Sequence, residues 1–417
     1  MAATANPLDL ARNIGYQLMG NIGAHAFEEL ELAFASRLQP RFKDVPEIRP
    51  WQNVCFYWAR SYLKNTLMEH FQEALPVDFL SRFVTAASTE TMFGSISDDH
   101  KKLIPPLFYK RAMVFIPELQ AFLGEGEVFR DRMNKLNDAV EGKRTSNDLL
   151  KFGNADAVLI DQYKGGVDGL FFDGQTLWYN PKACFVIGTR PLHPKPFSTL
   201  EGSGFWSRFH VIQFTFTDSV AQDIFTGAMA PTGTGSSIYS LKQELKKFNA
   251  EFMQGAHGNF SENLPEYESL MLPILREANL IGKKHGEKYG LDMAGVTSNR
   301  VRGDIYREVN AFRILTNASN DEVRRWIFPR LEHFFSFIVN PQLDVTFEQK
   351  KLRAFRKDDC ENSMLNTFKG QKGVERDTIK NEMQKLNFSI PTMDRALKTL
   401  VESGKIGKTE RGKYDIP

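Results

Sequence analysis

The sequence predicts an α/β layered core with a mainly parallel sheet, preceded by helix, followed by more helix and ended by a small unit of three helices and a hairpin. Three observations carry that expectation. From about residue 50 to 217 short apolar runs alternate with helical patterns: VCFYWA, LKNTLMEHFQEAL, FVTAA, AMVFI, FRDRMNKLNDAVEG, CFVIG and HVIQFTF. On either side apolar residues recur at helical spacing, as in HAFEELELAFASRL and DEVRRWIFPRLEHFFSFIV. The C-terminal segment reads NSMLNTFKG, ERDTIKNEMQKL, IPTMDRALKTLVESG and KIGKTERGKYDI.

At 417 residues two to three units are expected. A content of 42% hydrophobic and 25% charged residues suffices for a core. The net charge of +2 leaves any nucleic-acid affinity to local patches rather than a global field. Cys55, Cys184 and Cys360 are scattered, so neither a disulfide framework nor a zinc spacing is expected, and no metal set is assigned. The N-terminus lacks a basic stretch ahead of an apolar one, and no apolar run reaches membrane-spanning length. A cytoplasmic protein without membrane contact is the expectation.

In chain order, residues 1–49 form a helical N-terminal cap ending near Pro40 and Pro46. Residues 50–217 form the α/β core. Within it, 157–181 read as a hairpin or meander ahead of the CFVIG strand, with turns at Lys164-Gly165-Gly166 and Asp173-Gly174. Residues 218–340 form a helical lid or bundle, with a Gly/Thr/Ser-rich loop at 227–237. A basic linker, 341–360, carries Lys350, Lys351, Arg353, Arg356 and Lys357. Residues 361–417 complete the chain. Ser389 is placed to cap the helix that contains Pro391, and Gly404 to stop it. Three helices and a basic hairpin make the winged-helix pattern.

A phosphate-binding loop needs glycines for close backbone approach, a lysine for the β/γ oxygens and a hydroxyl for magnesium. No intact G-x-x-x-x-G-K-[ST] occurs. The best-placed candidate follows the first strand, from Trp58 to Lys64, Asn65 and Thr66, but Trp58 and Leu63 replace the glycines and Asn65 stands where the metal-binding hydroxyl belongs. The alternative is a buried strand followed by a surface helix with Lys64 solvated. A second glycine-bearing stretch, Ala230 to Ser237, lacks the lysine and reads as a loop. Glu118, after AMVFI and Pro117, is the candidate water-activating acid, against a glutamate that only favours a helix N-terminus. Thr189, at the tip of CFVIG, is a candidate γ-phosphate sensor, against an ordinary strand cap. Arg208, in GFWSRFHVIQF, is a candidate arginine finger, against a structural ion pair.

With VFIPEL, MNKLNDAVEGKRTSNDL, NPKACFVIGTRPLHP and GFWSRFHVIQF in view, the run from Ala112 to Phe216 resembles the AAA+ core of phage and plasmid primase-helicases of the superfamily 3 type, with a looser likeness to minichromosome-maintenance helicases. The resemblance extends over roughly residues 50–217, and its worst match is the glycine-rich loop. It implies a P-loop NTPase-like fold, ATP and magnesium as cofactors, Lys64 on phosphate, Glu118 activating water, Thr189 sensing the γ-phosphate and Arg208 acting in trans. The family usually has Asn where Thr189 stands. The resemblance also implies that the hairpin before the sensor strand grips single-stranded DNA in a central pore, with Lys164 as the residue singled out. In the winged helix, Thr392, Arg395 and Lys398 fall on the recognition-helix pattern, and Lys405, Lys408, Arg411 and Lys413 in the wing, for duplex DNA.

Two functions follow as expectations. One is an ATP-driven DNA helicase or translocase of a mobile element's replication system, closed into a ring, most simply a hexamer, because a finger in trans needs head-to-tail contacts. The other is a non-hydrolysing relative, a DNA-binding initiator, loader or ring scaffold that kept the fold and lost the nucleotide. No primase-polymerase domain is recognisable, which leaves a primase as a separate partner or the chain as a fragment of a larger primase-helicase.

Overall fold

The computed structural model describes residues 6–38, 51–58, 63–85, 92–97, 101–123, 126–149, 157–167, 169–190, 205, 208–213, 237–255, 267–287, 299–334, 360–386, 388, 390–409 and 413–417. Backbone contacts divide the chain into two compact units, Met1–Gln342 and Leu343–Pro417. The described residues show a mixed α/β protein with a parallel sheet and many helices. None of its described helices is long and apolar enough to cross a membrane.

The first unit starts with α1 (Pro7–Leu38), followed by β1 (Val54–Tyr57), α2 (Lys64–Glu73), β2 (Ser81–Phe83), β3 (Ser95–Ile96), β4 (Leu103–Ile104) and β5 (Met113–Ile116). Next come α3 (Leu119–Leu123), α4 (Gly126–Val140), β6 (Thr145–Asp148), α5 (Ala157–Lys164), β7 (Leu170–Phe172), β8 (Thr176–Tyr179), β9 (Cys184–Thr189) and β10 (His210–Gln213). Helices α6 (Ile238–Met253), α7 (Leu272–Glu287), α8 (Asn299–Thr316) and α9 (Asn320–Phe334) complete it, with a π-helical turn, Tyr267–Met271, leading into α7.

Strands β10, β1, β9, β5 and β2 lie side by side in that order, all parallel. Strands β1, β5 and β9 are buried at every position. That is why they read in the sequence as unbroken apolar runs rather than alternating ones: a parallel sheet is covered on both faces. The pleat assigns the covers. Phe115 of β5 packs with Phe71 of α2 (6.5 Å between ring centroids), and Phe71 with Phe27 of α1 (5.3 Å). On β9, Phe185 pairs with Val114, one residue out of phase with Phe115, and meets Phe108 at 5.2 Å; Phe108 in turn meets Phe122 of α3 at 6.3 Å. One face is therefore closed by α1 and α2 and the other by α3 and the turn before β5. Each such ring, fully buried, contributes about 2 kcal/mol.

Helix α1 is sharply bent where Gly20 takes φ +60, and the bend brings Gly15 against Gly23, so close that a Cβ on Gly15 would stand 2.0 Å from the Gly23 carbonyl oxygen. Only glycine fits there. The residues expected to form a cap thus pack directly on the sheet, with Phe27, Leu30, Ala33 and Phe34 fully buried.

Two expectations are corrected. AVLIDQYK is the helix α5 and not the first strand of a hairpin. A short apolar run is ambiguous between strand and buried helix, and here the chain uses Leu159 as the buried contact while Val158 stays exposed. The hairpin consists of β7 and β8 only, turning at Asp173–Gln175, and β8 also pairs with β6 in a three-stranded antiparallel sheet. The second core strand is Ser81–Phe83 rather than FVTAA. Its ladder with β5 starts from Leu80, whose carbonyl accepts from the Ala112 amide at 2.8 Å, and runs out once Val84 donates to Phe115.

The second unit contains a helix over 360–367, α10 (Arg376–Lys385), α11 (Ile390–Glu402) and an antiparallel pair, β11 (Gly407–Lys408) and β12 (Tyr414–Asp415). Val374, between the first two helices, bridges Tyr414 with reciprocal backbone bonds of 2.9 Å. Met364, Phe368, Ile379, Met383, Met393 and Leu400 fill the core. Gly404 at φ +71 ends α11, with the Lys405 amide donating to the Leu400 carbonyl, as expected of a glycine stop. Ser389 lies outside the described residues.

Candidate functional site

The carboxyl edge of the five-stranded sheet gathers three of the residues singled out from sequence. Tyr57, the last residue of β1, pairs with Thr189, the last of β9, and the next amide, Trp58 N–H, donates to the Thr189 carbonyl at 3.2 Å. Ile116 of β5 pairs with Ile187. One step on, the Pro117 carbonyl approaches Gly188 so closely that a Cβ there would sit 2.3 Å from its oxygen. Glycine at 188 is what lets the β5 and β9 tips close together, and Glu118, half-buried, follows at once, its carbonyl accepting from Phe122 in the first turn of α3. From β1 the chain crosses to the far strand β2, whereas from β9 it passes to β10 on the other side of β1. Connections leaving two adjacent strands in opposite directions open a crevice at the carboxyl ends, where ligands bind in open α/β sheets.

Two of the polar side chains at this crevice, Lys64 and Thr189, are bonded within the chain. Lys64, first residue of α2, is buried; its Nζ donates to the Trp58 carbonyl at 2.8 Å and lies 5.7 Å from the Trp58 ring centroid. The solvated lysine of the alternative sequence reading is not what the fold contains. The Trp58 indole is itself buried, and Leu63 ahead of Lys64 is left-handed at φ +53, a position that glycine adopts without strain. Thr189 is fully buried, its hydroxyl donating to the Arg190 carbonyl at 3.2 Å. Asn65 is exposed and Thr66 half-buried. Ser237, the end of the second glycine-bearing stretch, caps α6 by accepting from the Ser240 amide; residues 230–236 lie outside the described residues.

Arg208 lies at the opposite edge. It precedes β10, so in a parallel sheet it belongs to the amino ends, away from Lys64, Glu118 and Thr189 of the same chain. Its Nε donates to Glu141 Oε1 at 2.5 Å, and Lys143 binds the same carboxylate. Partial burial pushes the Glu141 carboxyl up, but the bond from Lys143 and the charge of Arg208 outweigh it and hold the group below its ordinary pKa. Asn53 pins the segment, donating to the Arg208 carbonyl at 3.2 Å and accepting from the Phe185 amide at 2.9 Å.

On the three-stranded sheet, Phe172 and Tyr179 are core residues, while Phe171 and Trp178 remain half-buried under the Arg144 guanidinium, 5.6 and 5.0 Å from their ring centroids. Lys164 is exposed at the C-terminal end of α5 and not at the hairpin tip, which is formed by Asp173 accepting from the Gln175 and Thr176 amides. Arg144 was not singled out from sequence; the signal was a basic residue one position before a strand whose partner carries two aromatics.

In the second unit, Arg395 and Lys398 are exposed on one stripe of α11 with Thr392 half-buried beside them. Arg395 Nε donates to the Pro391 carbonyl at 3.0 Å and Lys398 faces Glu402 at 3.7 Å. Lys405 and Lys408 are exposed beyond the helix, Lys413 pairs with Glu375 at 3.0 Å, and Arg411 lies outside the described residues. Arg376 of α10 grips Asp394 of α11 through both carboxylate oxygens, at 2.7 and 2.8 Å, which sets the two helices against each other.

A further polar cluster was invisible in the sequence because its members are far apart in the chain. Glu29 of α1, His210 of β10 and Glu308 of α8 are buried, with potential ligand atoms within 4.8 Å of one another. The Gln52 amide nitrogen already sits among them, 2.7 Å from His210 Nδ1 and 3.1 Å from Glu29 Oε2, and Arg330 reaches Glu28 at 2.8 Å and Glu29 at 3.5 Å. Burial, then the Glu308 charge, raises the Glu29 carboxyl well above its ordinary pKa. The cluster ties α1, β10, α8 and α9 together.

No family model matches the sequence, and a search of curated proteins finds no match.

Proposed function

We propose that the chain is an AAA+-type DNA replication protein of a mobile element, acting as a ring-forming, ATP-dependent helicase or translocase of the superfamily 3 kind. One observation carries the reading. Lys64, Glu118 and Thr189 converge on the carboxyl edge of a parallel sheet at the point where the crossovers diverge, while Arg208 lies at the other edge. A nucleotide at that crevice would take its phosphates to the start of α2, its γ-phosphate to Thr189 and its attacking water to Glu118, with Mg2+ shielding the phosphate charge. Arg208 would complete the site of a neighbouring copy, exchanging Glu141 for phosphate. The second unit, read as a winged helix, would hold duplex DNA through Arg395, Lys398 and Lys408, and a single strand would run through the pore.

The commitment of Lys64 to the Trp58 carbonyl, beneath a buried indole, favours the second reading, a ring scaffold or initiator that binds DNA without hydrolysis. Binding and turnover of ATP with magnesium decide between them, measured on the wild type, Lys64→Ala, Glu118→Gln and Arg208→Ala. The motor reading expects saturable binding that Lys64→Ala removes, and turnover that Glu118→Gln and Arg208→Ala abolish with binding retained. Absence of binding by the wild type sinks it. Turnover lost in Arg208→Ala sinks the scaffold.

A further inference from the structure

The amino edge of the sheet, remote from the crevice, carries two adjoining cavities of about 520 and 500 Å3 that share Leu80, Tyr109, Lys110 and Arg111. Arg37 and Lys182 line the first and Arg82 the second, so five cations meet there, against Asp78 as the one acidic lining residue. In a chain of net charge +2 that is a local excess of the kind a polyanion needs. The floor is apolar: Phe79 is buried, while Leu80 and Ile104 are 49% and 43% exposed.

Arg37, Arg82, Arg111 and Lys182 make no salt bridge among the described residues. The Nε atoms of Arg37 and Arg111 are buried without a hydrogen-bond partner among the described residues. Burial lowers the Arg37 pKa, the mark of a cation desolvated without a compensating carboxylate. Lys110 is held left-handed at φ +55 by the turn whose Tyr109 amide donates to Pro106, a conformation costly for a residue with a side chain. That turn presents Lys110 and Tyr109 together, with the Lys110 Nζ 5.4 Å from the ring centroid.

We propose that this groove binds a single strand of nucleic acid, its phosphates on Lys110, Arg111, Arg82 and Lys182 and its bases against Tyr109 and Leu80. Two adjoining lobes of about 520 and 500 Å3 offer more room than one mononucleotide fills. A duplex keeps its bases stacked on one another and has none to lay on an apolar floor. The groove rests on the reading of the chain as a DNA-binding protein but not on nucleotide hydrolysis. Its lining belongs to the first unit and includes Gly169 and Asn180, at the two ends of the hairpin.

The test is fluorescence anisotropy of labelled oligothymidylate with the full chain, over about 50–200 mM salt. The wild type is compared with the triple variant Arg82→Glu, Lys110→Glu, Lys182→Glu and with Lys182→Glu alone, all at exposed positions, with circular dichroism confirming the fold. The triple variant is expected to bind at least about ten-fold more weakly and to flatten the dependence of log K on log salt by about 2, the share of three phosphate contacts on a single strand. Lys182→Glu is expected to flatten it by roughly 0.7. Binding by the wild type that both variants keep unchanged overturns the groove and leaves the DNA-binding reading standing. No binding by the wild type overturns both. An equal loss on a duplex of the same length, or displacement of the oligonucleotide by ATP alone, overturns the single-strand assignment.

Discussion

At the carboxyl edge of the sheet Lys64 is folded onto the Trp58 carbonyl, Thr189 is fully buried and Gly188 lets two strand tips touch; at the amino edge Arg37 and Arg111 carry buried nitrogens with no acceptor among the described residues and Lys110 takes a left-handed conformation in its turn. Lys64 and Thr189, to which the sequence motifs point, are thus bonded within the chain, while the two arginines at the other edge keep unpaired nitrogens among the described residues. Buried polar groups find partners in a folded chain as a rule. Where they lack one, a ligand outside the chain is the simplest partner to seek. The hold of Lys64 on the Trp58 carbonyl favours the proposed scaffold over the proposed motor, and the ATP measurement bears directly on that choice.

The largest expected effect concerns what the two edges share. Helix α1 lies across the sheet and delivers Arg37 to the amino edge; on the way it buries Glu31, whose carboxyl burial raises to about 8, against the lowering effect of the Asn249 hydrogen bond. A carboxyl raised in the folded state favours folding below its unfolded pKa and loses that contribution as pH rises. Stability is therefore expected to fall by up to a few kcal/mol between roughly pH 4.5 and 8 and to level off above it. In Glu31→Gln most of that decline should vanish, so that the variant is the more stable protein at pH 8.5 in urea titrations. The slope that remains belongs to Glu29, raised in the same sense. Equal decline in variant and wild type would remove Glu31 as the cause.

Much of the sheet was legible in the sequence, for a physical reason. VCFY, MVFI and CFVIG are buried on both faces, and such strands must be continuous apolar runs. Their order was not legible, because it depends on crossovers that no local pattern records. AVLIDQYK misled because a short apolar run fits either period. The glycine at 404 was readable as a helix stop, since only its own backbone matters. Thr189 and Glu118 could be placed at strand tips, but the partner of Arg208 could not, because Glu141 reaches it from the turn after α4, 67 residues earlier in the chain. The groove was hidden most completely. Arg37, Arg82, Lys110 and Lys182 come from four separate segments, and only the parallel sheet aligns the segments that carry them at one edge.

A paired substitution probes how tightly each edge is packed. Gly188→Ala drives a Cβ against the Pro117 carbonyl, which is backbone and cannot swing aside as Met68 can. A loss of about 3 kcal/mol is expected in denaturant titrations. At the amino edge Gly169, lining the groove at φ +88, has open space where a Cβ would stand. Gly169→Ala should cost only the backbone strain, about 1 kcal/mol. Equal losses at the two positions would mean that the edges do not differ in packing.

The smallest effect separates stability from binding at Lys64. Lys64→Met keeps the length and apolar stem of the side chain but removes the Nζ donor, leaving the Trp58 carbonyl without that partner in a buried place. The expected loss is about 1 kcal/mol, because a net hydrogen bond is worth little more than that. If the carboxyl edge is closed, nothing else should change: oligothymidylate affinity at the opposite edge should stay within about two-fold, a difference below 0.5 kcal/mol. If instead Lys64 leaves Trp58 for a phosphate, the variant should lose ATP affinity while folding as well as the wild type. A variant that loses oligonucleotide affinity along with stability would show that the two edges are coupled through β1, and the contrast between them would then be one of geometry alone.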